Sequence, residues 1–310
     1  MIVWLLIIII GMAFFSYILV SGIESLADIL NLKDYVFMLI VFPIFSSLPD
    51  LVIIVLNLIY GGTFGPGMAL SAAVGEPFMA IVIGIPVTLI LGLVKFGRND
   101  LNLFNDSKEI INRVLYVPII VSIFAYLTII FLAKVYAIIT LAVITIIVFY
   151  VYIKNLKNMV FEHVKKIPTL LVASYIIIGF VGYVIFGKLL VESVIKISLM
   201  TKISPYGQSF IIFPLLAAIP EFFASSSLIL KGKKEAAVAS LLGEIVITAT
   251  LYPALILALV GPMLTFPIIL GMGLEIVSAI ATIVVSLKTS MIYLVPFDLV
   301  MILLYIVLVL

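Results

Sequence analysis

Apolar runs long enough to cross a bilayer recur along the whole chain, and this constrains the fold more than any other feature of the sequence. A membrane helix needs about 20 mostly apolar residues. Ten such stretches are read at 2–22, 36–60, 68–95, 110–132, 134–153, 168–190, 205–231, 236–258, 263–286 and 290–310. With 65% hydrophobic and 10% charged residues among 310, a water-soluble chain of this size would have no way to hide its apolar surface. The expectation is an all-α polytopic membrane protein of ten transmembrane helices. Alternating short strands of the outer-membrane type are not seen. The first stretch lacks a basic leader and a small-residue cleavage site, so it reads as a retained helix, with Trp4 as an interfacial anchor.

Orientation follows from the basic residues. With the N-terminus outside, 13 of the 17 Lys and Arg fall on the inner side. They include Lys95, Arg98, Lys108 and Arg113 in one loop, and Lys154, Lys157, Lys165 and Lys166 in another. The positive-inside rule therefore places both termini on the non-cytoplasmic side. His163, the single histidine, sits in the second of these basic loops and reads as solvated.

The chain also repeats itself. Phe42-Pro43 recurs as Phe213-Pro214 and Pro49-Asp50 as Pro220-Glu221, all at an offset of 171. The stretch "ALSAAVGE", ending at Glu76, recurs as "AVASLLGE", ending at Glu244, at an offset of 168. Five spans per half is odd, so the second half enters from the opposite face. This describes two inverted five-helix repeats, 1–153 with its core at about 36–95 and 154–310 with its core at about 205–258.

Four acids mark the two cores. Asp50, Glu76, Glu221 and Glu244 each lie eight to ten residues from the end of a span, a depth of roughly 12–15 Å at 1.5 Å per residue. An ionisable group near the midplane costs a few kcal/mol unless something compensates it. No lysine or arginine lies at that depth, so the compensation falls to a bound cation or to protons. Pro49 and Pro220 free backbone carbonyls just before Asp50 and Glu221, and Ser46 and Ser47 add hydroxyls one turn away. Hard oxygen donors with several carboxylates suit calcium. Glu275 is a further buried acid, divided between a proton relay and a hydrogen-bonded structural role. Asp298, nearer a span end, reads as structural.

These residues resemble the calcium/cation antiporter superfamily, the sodium/calcium exchangers and their relatives. "FSSLPD", ending at Asp50, and "LAAIPE", ending at Glu221, are similar to its first repeat motif. "GEPFMA" and "GEIVIT", which contain Glu76 and Glu244, occupy the place of its second. The resemblance implies ten helices in two inverted halves, with Asp50 and Glu221 as central calcium ligands and Ser46 and Ser47 as hydroxyl ligands. It also implies exchange of Ca2+, or a similar divalent cation, for H+ or Na+ by alternating access. Ala217 and Ala218 replace second-half hydroxyls, Glu76 and Glu244 replace small polar residues, and Ala80 and Thr248 stand at a further ligand position. Missing neutral ligands and added carboxylates lean towards proton coupling. The long first and sixth spans are the candidates for movement around spans 2, 3, 7 and 8.

A cation channel, or a carrier of another divalent ion such as Mg2+, is the alternative. A hydrolase lacks its residues: there is no cysteine and the one histidine lies in a loop. No cofactor and no nucleic acid are expected. The partners are inorganic cations and the lipid bilayer.

Overall fold

In hydrocarbon, backbone N–H and C=O groups must be satisfied within their own segment, which leaves helices for a chain patterned like this one. The computed structural model describes residues 2–30, 42–97, 103, 109–156, 168–261, 263–288 and 290–309, and among these there is no strand. Six helical stretches are long and apolar enough to cross a membrane: Gly62–Phe96, Lys134–Tyr152, Thr169–Thr201, Ala236–Val260, Phe266–Leu287 and Met291–Val309. A bent pair, Pro205–Ala217 with Glu221–Leu230, makes a seventh when taken as one span. Shorter apolar helices at Trp4–Leu19, Leu48–Tyr60 and Tyr116–Phe131 fall in the expected first, second and fourth spans. The basic loop holding His163 lies outside the described residues.

The first half comprises α1 (Ile2–Leu30), α2 (Phe42–Ser46), α3 (Leu48–Tyr60), α4 (Gly65–Met79), α5 (Ile85–Phe96), α6 (Glu109–Phe131) and α7 (Lys134–Leu156). The second comprises α8 (Thr169–Thr201), α9 (Pro205–Ala217), α10 (Ile219–Leu230), α11 (Lys234–Leu242), α12 (Tyr252–Val260), α13 (Phe266–Lys288) and α14 (Leu294–Val309). The expected boundary between the fourth and fifth spans falls where α6 gives way to α7. The expected sixth span, 168–190, is too short. At 33 residues α8 extends to Thr201, about 50 Å of helix, which must tilt or project beyond a core about 30 Å thick.

Both first-motif helices break at equivalent places. Ser47 separates α2 from α3, and Ala218 separates α9 from α10, where the two axes bend by 45°. Proline is the cause: Pro49 and Pro220 each sit in the first turn of the new helix. There a missing N–H costs little, whereas in mid-helix it breaks a bond.

Both second-motif helices widen. Ala80–Gly84 and Ile247–Leu251 are π-helical turns, and each leads into a helix with proline in its first turn, Pro86 of α5 and Pro253 of α12. A proline cannot bond the carbonyl four residues back, here Val82 and Ala249, and its ring crowds that carbonyl. Widening the turn relieves both problems, and π turns of this kind gather at functional sites.

The two widened spans form the centre. In Gly62–Phe96 and Ala236–Val260, 67% and 72% of the most apolar stretch is buried, against 22% to 39% in the other four long spans. Gly75 lets the backbones of α4 and α9 touch, since a Cβ there would lie 2.3 Å from the Phe210 carbonyl oxygen. Thr88 of α5 hydrogen-bonds Ser225 of α10 at 2.6 Å, so the two repeats are tied across the core. Outside, α1 and α8 lie against each other, with Gly179 pressed on the backbone of Leu19. The outer face of α7 exposes Val135, Ile139, Val143 and Ile146, a stripe that suits lipid and not water.

Candidate cation site

The two broken helices and the two widened ones deliver the four acids. Asp50 and Glu221 occupy the first turns of α3 and α10, where the partial positive charge of a helix N-terminus favours an acid. Glu76 precedes the first π turn by four residues. Glu244 sits in the turn between α11 and the second.

Glu76, Glu221 and Glu244 come together. One carboxylate oxygen of each lies within 4.8 Å of the others. Three points so spaced share a centre no more than about 2.8 Å from each, close to the 2.3–2.6 Å of calcium–oxygen bonds. Each of these glutamates is 2% exposed, and Asp50 is 7% exposed. Asp50 falls outside the 4.8 Å set, although its charge acts on all three glutamates.

Among the described residues, no basic side chain forms a salt bridge with this cluster. Both oxygens of Glu221, Oε2 of Glu76, Oε1 of Glu244 and the Ser46 hydroxyl have no hydrogen-bond partner. Among the described residues the one salt bridge is Lys188–Glu192, at 3.8 Å and half exposed. Buried polar atoms left this way call for a ligand.

The two serines differ. The Tyr252 hydroxyl lies 2.7 Å from the Ser47 carbonyl and 2.9 Å from the Ser47 hydroxyl; its one hydrogen goes to the nearer carbonyl, and Ser47 donates to the Ile44 carbonyl. Ser47 is thus tied at the helix break, whereas the Ser46 hydroxyl has no such partner. Tyr252→Phe is expected to cost about 1–2 kcal/mol, because the buried Ser47 carbonyl loses its partner. Ser47→Ala, which spares that bond, is expected to cost less; thermal melts in detergent should rank the two in that order.

Ala217 and Ala218 are buried and carry no hydroxyl. Ala80 opens the π turn, and Thr248 donates to the Glu244 carbonyl at 3.0 Å. Sequence reasoning missed Tyr252 and two further tyrosines. Tyr183 of α8 is fully buried, its hydroxyl has no partner, and all four acids act on it. Its local sequence gives no sign of this beyond Gly182 and Gly187, which allow close approach. Tyr126 donates to the Val74 carbonyl at 2.6 Å and so holds α4 just before Glu76. Glu275 and Asp298 are fully buried and lie outside the cluster.

Comparison with curated proteins gave no match. Among solved structures, the H+/Ca2+ exchanger CAX aligns with a TM-score of 0.73 at 13% identity, covering 99% of this chain and 80% of that one. Native YfkE gives 0.70 at 14%, covering 96% and 88%. The sodium-calcium exchanger NCX_Mj gives 0.64 at 18%, covering 99% and 96%. At these identities the likeness is one of fold. The family model described as sodium/calcium exchanger protein matches residues 1–156 and 171–310, one segment for each motif pair. The chain belongs to the sodium/calcium exchanger protein family.

Proposed function

We propose that the protein is a secondary antiporter that moves Ca2+ in exchange for H+ by alternating access. The observation that carries this reading is the cluster of Glu76, Glu221 and Glu244, buried within 4.8 Å of one another with orphaned oxygens. Asp50 and Ser46 complete the oxygen set, and Ser47 holds the break that positions them. The transported ion is the substrate, and a set of several carboxylate oxygens with a hydroxyl suits calcium. Proposed with it is the architecture read from the sequence: ten spans in inverted repeats, 1–153 and 154–310, with both termini on the non-cytoplasmic side. The α1–α8 pair is the moving body around the core.

Charge favours protons as the counter-ion. Carboxylates this close in a medium of low dielectric cannot all remain ionised when no cation is present, because repulsion adds to desolvation. Protons hold the empty cluster neutral and leave as the divalent ion enters. The exchange is then complete without sodium, and the acids titrate as one coupled group.

The test is calcium-45 uptake into proteoliposomes. An acidic lumen should drive uptake, since protons leave as calcium enters, and a sodium gradient should not. Uptake that follows sodium and ignores pH would replace this reading with sodium/calcium exchange. Flux that needs no counter-ion would make the protein a channel.

A further inference from the structure

A second group of orphaned oxygens lies along α13, away from the cation cluster. This helix has two unlike faces. Val277, Ile280, Val284 and Leu287 are exposed at helical spacing and form its lipid side. Glu275, Ser278, Thr282 and Ser286 fall on the other side, all buried. Asp298 of α14 faces the same side. Thr282 lies six residues before the end of α13 and Asp298 four after the start of α14, so the short turn between the helices sets them at nearly one level.

The Ser278 hydroxyl acts electrostatically on Asp298, yet neither makes a hydrogen bond of ordinary geometry. Both Asp298 oxygens, the Ser278 and Thr282 hydroxyls and Oε2 of Glu275 have no partner. Polar side chains between membrane helices usually hold the helices together through the bonds they make. Here Ser278 and Asp298 are neighbours without an ordinary hydrogen bond, so the stripe holds its helices weakly and keeps oxygens available for a proton.

Ser122 of α6 supplies the clue. Its hydroxyl is 2.9 Å from the Ile119 carbonyl and 2.5 Å from Oε1 of Glu275, and it has one hydrogen to give. With Glu275 ionised, that hydrogen goes to the carboxylate. With Glu275 protonated, the acid donates and Ser122 turns its hydrogen to Ile119, which can only accept. One hydroxyl rotation thus accommodates either state, and no helix need move. One turn along α6, Tyr126 is acted on by both Glu275 and Glu76, which puts Glu275 within electrostatic reach of the cluster.

We propose that Glu275 is a proton-exchanging carboxyl outside the cation cluster, and that Ser278, Asp298 and Thr282 carry its proton to the Lys288 end of α13. Arrival of a divalent charge at the cluster favours the ionised form. Once the Glu275 carboxyl turns its O–H from Ser122 towards Ser278, that bond breaks as one forms on Ser278, which passes its own hydrogen to an ionised Asp298. Asp298 releases a proton by way of Thr282 to water at that end. Each O–H bond broken is matched by one formed.

The elements packed on α13 bring few other titratable groups. α4 carries Glu76, α6 carries Tyr116 and Tyr126 with Glu109 and Arg113 near its start, and α9 carries Tyr206. The turn before α14 adds Tyr293, and α14 adds Asp298 and Tyr305. α5, against α14, ends near Lys95, and Lys288 closes α13 itself.

The inference rests on the proton-coupled reading above, and counting protons separates the two. Full-length protein in detergent and weak buffer is titrated with Ca2+, with released protons and bound calcium measured together. Wild type should release protons. Glu275→Gln should release about one fewer per calcium with affinity within roughly threefold, because it lies outside the ligand set. Ser122→Ala, which leaves every carboxyl in place, should shift the pH at which release is half complete. Asp298→Asn should keep the equilibrium count and slow uptake driven by a pH gradient at least tenfold. No release from wild type would sink proton coupling altogether. Wild-type release with an unchanged count in Glu275→Gln, or an unchanged pH profile in Ser122→Ala should the first variant not fold, would overturn this inference alone.

Discussion

Glu221→Gln is expected to lower calcium affinity at least ~100-fold and to abolish exchange, while the protein remains folded in detergent. The amide keeps the size of the side chain but replaces a charged donor with a weaker neutral one. Both Glu221 oxygens are without a hydrogen-bond partner, so no other bond compensates. Removing one partner from a buried set of charges costs about 3–5 kcal/mol, a factor of hundreds or more in a binding constant. Glu76→Gln and Glu244→Gln should fall in the same range, as members of the same 4.8 Å set. Asp50→Asn should weaken binding less, because Asp50 lies beyond the 4.8 Å set and would add its oxygen from farther off. Calorimetric titration with Ca2+ checks the order. Wild-type affinity in Glu221→Gln would remove that residue from the site.

Gly75→Ala is expected to be the most damaging single-methyl change in the core. The added Cβ would sit 2.3 Å from the Phe210 carbonyl oxygen and 2.7 Å from Cγ of Pro214. Neither neighbour is the end of a flexible chain, so α4 and α9 must separate. Such overpacking costs about 1–3 kcal/mol, and here the upper end applies because backbone is struck. The effect should also reach the site: Glu76 is the next residue, and α9 leads to the break that positions Glu221. Gly273→Ala is the control. A Cβ there meets nothing within 4 Å, so the helical gain of up to about 1 kcal/mol over glycine is available. Melting in detergent with and without calcium should show Gly75→Ala destabilised and unresponsive, and Gly273→Ala at or above wild type.

The parts of this architecture written in local chemistry were legible in the sequence. Apolar length announces helices in lipid, and Pro49 and Pro220 announce breaks because a missing N–H acts where it stands. Glu76, Glu221 and Glu244 stood out because acids in hydrocarbon have few explanations. Features set by distant contacts were not legible. Ser46 and Ser47 look alike until Tyr252, 205 residues from Ser47, arrives to take up one of them. Tyr183 is one aromatic residue in an apolar helix until the fold turns it towards four acids. Asp298 reads as structural from its distance to a span end, and that depth alone does not reveal that Ser278 of α13 lies beside it. The π turns left a trace, since Pro86 and Pro253 recur at an offset of 167, but a reading that assumes 3.6 residues per turn has no place for it.

Those wide turns make chain length itself part of the site. Each takes in one residue more than an α turn, and so rotates everything beyond it by about 100° relative to an unbroken helix. Glu76 and Pro86 are ten residues apart, Glu244 and Pro253 nine. Deleting one residue from either interval would let the turn close into ordinary α-helix and leave the far half facing as before, because the turn holds one residue in excess. Replacing Pro86 or Pro253 is the opposite case: the turn can close with every residue kept, and the far half would then swing round. In the first repeat Thr88 would leave Ser225, and in the second Tyr252 would leave Ser47. By composition such a chain would look almost unaltered, yet the residues that hold its acids would face different directions. In these two intervals deletion is the gentle change and replacement of the proline the severe one.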